Sequence, residues 1–173
     1  MLSASLLAEV LAWSVLPLAF ARFQVRGFVA GLWIGSAAAW LTTAHFALLG
    51  GSAGAITALA VAITITFQAL FGARFGPVFR YGLAVVAIAV ACALKEPGAI
   101  AFLPIMAFAA TRLAEASRHD LGLRLVMLVA SLMWIFYAAA FGSLAIALGN
   151  GIGLGSGLLG LWRFYGPLTR RVS

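Results

Sequence analysis

Two ionisable side chains sit inside long apolar runs, Glu9 in MLSASLLAEVLAWSVLPLAFA and His45 in WLTTAHFALLGG. A titratable group at membrane depth is costly to keep and is a functional hypothesis by default. A carboxylate beside an imidazole can exchange a proton near neutral pH, which suits proton-coupled transport. At 1.5 Å per helical residue, Glu9 falls about 10 Å below the outer end of a first helix. His45 falls near the outer end of a second, so the two are expected to meet in an outward-facing vestibule. The structural alternative leaves Glu9 in headgroup water and His45 as an interfacial hydrogen-bonding residue.

Asn150 is an amide about seven residues into the last apolar run. It offers donors and an acceptor to sugar hydroxyls or an amino-acid backbone, or else it bonds between helices. Trp134 and Tyr137 share a helical face, and Trp40 lies five residues before His45. An aromatic wall of this kind would stack on a ring; belt or packing aromatics are the plain alternative. Asn150, His45, Tyr137, Trp134 and Trp40 are the expected substrate contacts, with Glu9 and His45 the proton-coupling pair.

GNGIGLGSGLLG contains the spacing Gly155-x-Gly157-x-x-Gly160. A dinucleotide fingerprint needs a strand before it and a βαβ context, and here only an apolar helix is expected. Gly149, Gly153, Gly157 and Gly160 instead line one helical face, with Gly151 and Gly155 roughly opposite. Both are small-xxx-small patterns for close packing, so the last helix is expected to be wedged on two sides. No nucleophile–base–acid set and no metal-ligand spacing is present. The chain therefore reads as a non-enzyme without cofactor or metal. Its single Cys92 excludes a disulfide framework.

These groups must be held by helices in lipid. The chain is 65% hydrophobic and 9% charged, with a mean hydropathy of +1.14, far from a soluble composition. Seven spans are expected at 3–21, 27–48, 52–72, 78–94, 98–113, 121–141 and 143–163, each near the 20 or so residues that cross a bilayer. The first lacks a basic leader and carries Glu9, so it reads as a retained helix rather than a signal peptide. All ten arginines then fall on one side and only Lys95 on the other. Positive charge stays cytoplasmic, placing the N-terminus outside and the C-terminus inside. Because the arginines form small groups between spans, the net charge of +7 reads as topology and not as a nucleic-acid surface.

Spans 1–3 and 5–7 can be superposed in sequence. Leu16-Pro17 and Leu103-Pro104 are offset by 87, and His45 with Gly50 answers to Tyr137 with Gly142 at an offset of 92. Ser52 and Ser143 follow those glycines. The expected architecture is all-α: one membrane domain over 1–173, a three-helix bundle (3–72), an inverting linker helix (78–94) and a parallel second bundle (98–163). Pro17 and Pro104 are read as matched hinges, since each would remove a helical hydrogen bond.

The stretches AHFALLGGSAGAITAL, RLVMLVASLMWIFYAAAFGS and LWRF resemble the YgjV-type bacterial inner-membrane proteins, from about Arg26 to Arg163. That resemblance implies a multi-pass protein of the bacterial plasma membrane and lends no activity. More distantly, the 3+1+3 plan resembles the SWEET and PQ-loop carriers. The Pro-Gln dipeptide of that superfamily is absent at Pro17-Leu18 and Pro104-Ile105, and span 3 has no asparagine. The function read from all this is a transporter or facilitator of a small polar solute, a sugar or a small organic or amino acid. Its site would lie between the two repeats. The alternative is a non-transporting scaffold or lipid-associated assembly factor. Membrane lipid and the solute are the expected partners, with self-association left open.

Overall fold

The structure is a computed structural model that describes residues 4–24, 28–71, 77–117 and 120–169. Among these are seven α-helices and no strand: α1 (Ala4–Gln24), α2 (Phe28–Leu48), α3 (Ser52–Phe71), α4 (Pro77–Leu94), α5 (Phe102–Ser117), α6 (Asp120–Ala140) and α7 (Leu144–Thr169). Arg26, Arg74, Arg118, His119, Arg170 and Arg171 lie outside the described residues. Ala4–Ala21 and Ser52–Phe71 are each long and apolar enough to span a bilayer, and α4 to α7 carry shorter apolar stretches. A single 3₁₀ turn, Ala99–Ala101, precedes α5, so that helix begins later than the expected 98. Sixteen α-helical residues and this turn together reach about 30 Å, the hydrocarbon thickness.

Side-chain size is distributed inside out. The buried hydrophobic residues are mostly alanines, among them Ala12, Ala53, Ala62, Ala91 and Ala138. Large apolar groups such as Trp33, Phe71, Val85, Phe136 and Leu159 point outward. Lipid tails solvate leucine as well as another leucine does, so association is driven by close backbone approach over small residues. The helices must also satisfy every backbone group internally.

The helices follow one another around a closed ring, each packing on the next: α1, α2, α3, α5, α6, α7 and back to α1. α4 sits outside it, against α3 and α5. Exchanging α1 with α5, α2 with α6 and α3 with α7 leaves this neighbour order unchanged.

Two turns in the ring are copies. Gly50 and Gly142 both take positive φ, 76° and 66°. The Gly51 N–H donates to the Phe46 carbonyl at 2.9 Å, and the Ser143 N–H to the Ala138 carbonyl at 2.8 Å. The bonds of Gly50 to Ala47, Ser52 to Gly50 and Ala55 to Gly51 recur as Gly142 to Ala139, Leu144 to Gly142 and Ala147 to Ser143. Each is a Schellman ending, which needs a left-handed residue and therefore favours glycine.

Candidate functional site

A hydrogen-bonded cluster of polar groups lies where these short turns are. The α4–α5 connection, Lys95-Glu96-Pro97-Gly98, turns back through Gly98 at φ 111° and lays Glu96 across the start of α3. There the Ala53 N–H donates to Glu96 Oε2 at 2.9 Å. The Ser52 hydroxyl donates to the Leu94 carbonyl at 2.5 Å and lies 3.0 Å from Glu96 Oε2. From α6, the Tyr137 hydroxyl donates to Glu96 Oε1 at 2.8 Å and accepts the Gly54 N–H at 3.0 Å. A helix start has unpaired N–H groups and a positive dipole end, and both favour a carboxylate. Burial raises the Glu96 pKa, but hydrogen bonds from the Ala53 N–H, its own N–H, Tyr137 and Ser52 outweigh it and hold the group below the ordinary glutamate value.

Glycine makes this approach possible. A Cβ on Gly54 would stand 2.9 Å from Tyr137 Cζ and nearer still to Cε1, and one on Gly51 would stand 2.7 Å from the phenol oxygen. Tyr137 itself is 0% exposed. Beside it, Phe46, Trp134 and Phe141 have ring centroids 5.0, 5.9 and 4.9 Å from its own, an aromatic plug across this end of the ring. Lys95 stands over the Phe102 ring at 4.6 Å.

Toward the arginine-bearing end burial continues in α2, α3 and α4, as far as Leu32, Thr64 and Ala84, but thins in the other four helices. Buried residues in α1 and α7 stop at Val15 and Ile146, and in α5 and α6 at Phe108 and Ala130. Beyond these points every residue with described burial is half-buried or exposed.

Of the expected site residues, Tyr137 and Trp134 are in the plug. His45 is next to it, its ring edge-on to Phe46 at 5.0 Å. His45 Nδ1 donates to the Ala8 carbonyl at 2.8 Å. The expected meeting with the Glu9 carboxylate is not seen, because Glu9 points outward and is exposed. Trp40 lies apart, 45% exposed, its indole N–H donating to Thr66 Oγ1 at 3.3 Å; Thr66 also meets Ser36. The Asn150 amide donates to the Ile146 carbonyl of its own helix at 3.0 Å.

The two prolines are not equivalent in the fold. Pro17 lies in the interior of α1, whereas Pro104 is the third residue of α5. N–H groups in a first turn have no helical partner, so proline there costs no bond and makes no kink. The glycine faces of α7 also differ. A Cβ at Gly157 would stand 2.7 Å from Leu128 Cδ2 and one at Gly149 3.7 Å from Leu16. At Gly151, Gly153 and Gly155 it would meet nothing within 4 Å. α7 thus lies between α6 and α1 as expected, but both are met from the Gly149–Gly157 face, the opposite face of Gly151 and Gly155 meets nothing, and the packing of Gly160 lies outside the described residues.

Glu96 escaped the sequence reading because it lies in a four-residue connection. The signal was present: the offset of 87 that carries Pro17 to Pro104 also carries Glu9 to Glu96.

A family model described as a bacterial inner membrane protein, Imp-YgjV, matches residues 6–167. No curated protein and no solved structure matches the chain.

Proposed function

The chain belongs to the YgjV family of bacterial inner membrane proteins, and from that premise we propose that it is a small-solute carrier. In this reading it has two parallel three-helix repeats, and here it is closed outside and open to the cytoplasm. Arginines mark the cytoplasmic end by the positive-inside rule, which puts the N-terminus outside and the C-terminus inside. The observation that carries the reading is the contrast between the ends of one ring. The outer end is plugged by Phe46, Trp134, Tyr137 and Phe141, while toward the arginines burial ceases in α1, α5, α6 and α7 and persists only in α2 and α3 of the ring.

The copied turns and the exchangeable neighbour order support the repeat. Repeat-built carriers work by rocking one bundle against the other around a site near the midplane. In this ring the halves meet at α1–α7 and α3–α5. Opening outward requires Tyr137 and Glu96 to leave the start of α3, so that cluster is the outer latch. Asn150, one turn below the last buried residue of α7, is the first polar side chain of α7 under the plug. Pro17 weakens α1 where a seam helix would bend. The solute class is a small polar molecule, and no catalysis is involved.

Uptake into proteoliposomes of the purified chain, across a panel of sugars, amino acids and organic acids with and without an imposed proton gradient, tests the proposal. Saturable uptake of one class is the expected result. Its absence across the panel with well-folded protein would leave a scaffold or lipid-associated role instead.

A further inference from the structure

The α3 latch has an internal counterpart at the start of α7. In α3, two first-turn N–H groups are taken from outside the helix: Ala53 by Glu96 and Gly54 by Tyr137. The offset of 92 carries Ala53 to Ala145, Gly54 to Ile146, Gly51 to Ser143 and Tyr137 to His45. On either side of the pair, the bonds of Leu144 and Ala147 copy those of Ser52 and Ala55. Ala145 and Ile146, however, have no acceptor from another element among the described residues.

Two buried side-chain atoms also have no partner among the described residues. Ser143, at the N-cap of α7, is 5% exposed, and its Oγ has no hydrogen-bond partner among the described residues. His45 is 2% exposed, and its Nε2 has none either. The His45 ring leans on Phe46, which shares one core cluster with Ala145 and Ile146. Buried polar atoms are nearly always paired, by protein or by something bound. The carboxylate that would answer to Glu96, that of Glu9, points outward.

We propose that the start of α7, with Ser143 and His45, binds a small monocarboxylate together with one proton. The chemistry of the groups sets the stoichiometry. First-turn N–H groups and a serine hydroxyl at a helix start donate to a carboxylate, as the Ala53 N–H and the Ser52 hydroxyl do to Glu96 at the start of α3. His45 Nδ1–H is committed to the Ala8 carbonyl, so neutral His45 presents a lone pair at Nε2. A carboxylate facing that lone pair needs a proton between them, taken from water and held on Nε2 or on the acid. The ionisable groups around His45 are Glu9 on α1 and, beyond Phe46, the Tyr137–Glu96 pair of α6 and the α4–α5 connection. Site and stoichiometry use the repeat reading; only entry of the ligand, through a parted α1–α7 seam, rests on transport.

The test is calorimetric titration of the detergent-solubilised full chain with acetate, and with acetamide as the uncharged isostere, in two buffers of different ionisation enthalpy. Acetate is expected to bind with uptake of about one proton, and acetamide at least tenfold more weakly. Ser143→Ala should weaken acetate about tenfold. His45→Asn keeps a donor for the Ala8 carbonyl but lacks Nε2, and should abolish the proton uptake. Equal behaviour of acetate and acetamide, or acetate binding unchanged in both variants, overturns the proposal and leaves a buried water as the bridging group. Acetate binding without acetate uptake in proteoliposomes would keep the site and overturn the carrier reading alone.

Discussion

The Tyr137 hydroxyl stands 2.8 Å from Glu96 Oε1, tying α6 to the α4–α5 connection over the first turn of α3. One phenol thereby joins three parts of the fold, since it also takes the N–H of Gly54 in α3.

Tyr137→Phe keeps the ring in the plug and removes only this hydroxyl. The Gly54 N–H and one carboxylate oxygen then lose their partner inside a packed seam. A loss of about 1–3 kcal/mol is expected, the usual cost of orphaning buried polar groups. Thermal unfolding in detergent, read by the tryptophan signal, measures it.

Acid should act on the same cluster. The pKa of Glu96 is lower folded than unfolded, so its contribution is full above the ordinary glutamate pKa and is lost as pH falls through the lowered folded value. Wild type should therefore lose melting temperature steeply below about pH 4, while Glu96→Gln, less stable at neutral pH, should be flatter. Parallel curves for the two proteins would remove Glu96 from the latch.

Glycines of the same chain should respond in opposite directions. Gly54→Ala drives a methyl into the Tyr137 ring and should cost about 1–3 kcal/mol by overpacking. Gly151→Ala and Gly155→Ala meet nothing within 4 Å and should be neutral or stabilise α7 by up to about 1 kcal/mol. Melting curves of the three variants decide this directly.

For Asn150→Ala, stability should change by less than about 0.5 kcal/mol, because the amide bonds only to its own helix. Uptake in proteoliposomes should fall, with the loss appearing in KM if Asn150 contacts the solute. A wild-type uptake curve would remove it from the path.

The helices were legible because apolar length and glycine or proline punctuation set their ends. At α5 this failed: Pro104 looked like a mid-helix kink because the 3₁₀ turn at Ala99–Ala101 leaves no mark in hydropathy. Tyr137 was legible as one of an aromatic pair with Trp134 and as the counterpart of His45. Its partner was not, since Glu96 lies 41 residues away in a connection that reads as a tether. Asn150 shows the converse: an amide at mid-depth invites a ligand, yet the nearest acceptor is a carbonyl one turn back. Periodicity reports which face a residue occupies, while the choice among acceptors on that face is made by packing.

α4 lies outside the ring and packs against α3 and α5. It backs the place where α3 meets α5 from outside the ring. What this helix adds is at its end, where the chain leaving α4 delivers Glu96 to α3 and fastens that seam. The connection is therefore more than a tether: it carries the carboxylate that caps the helix on which α4 packs.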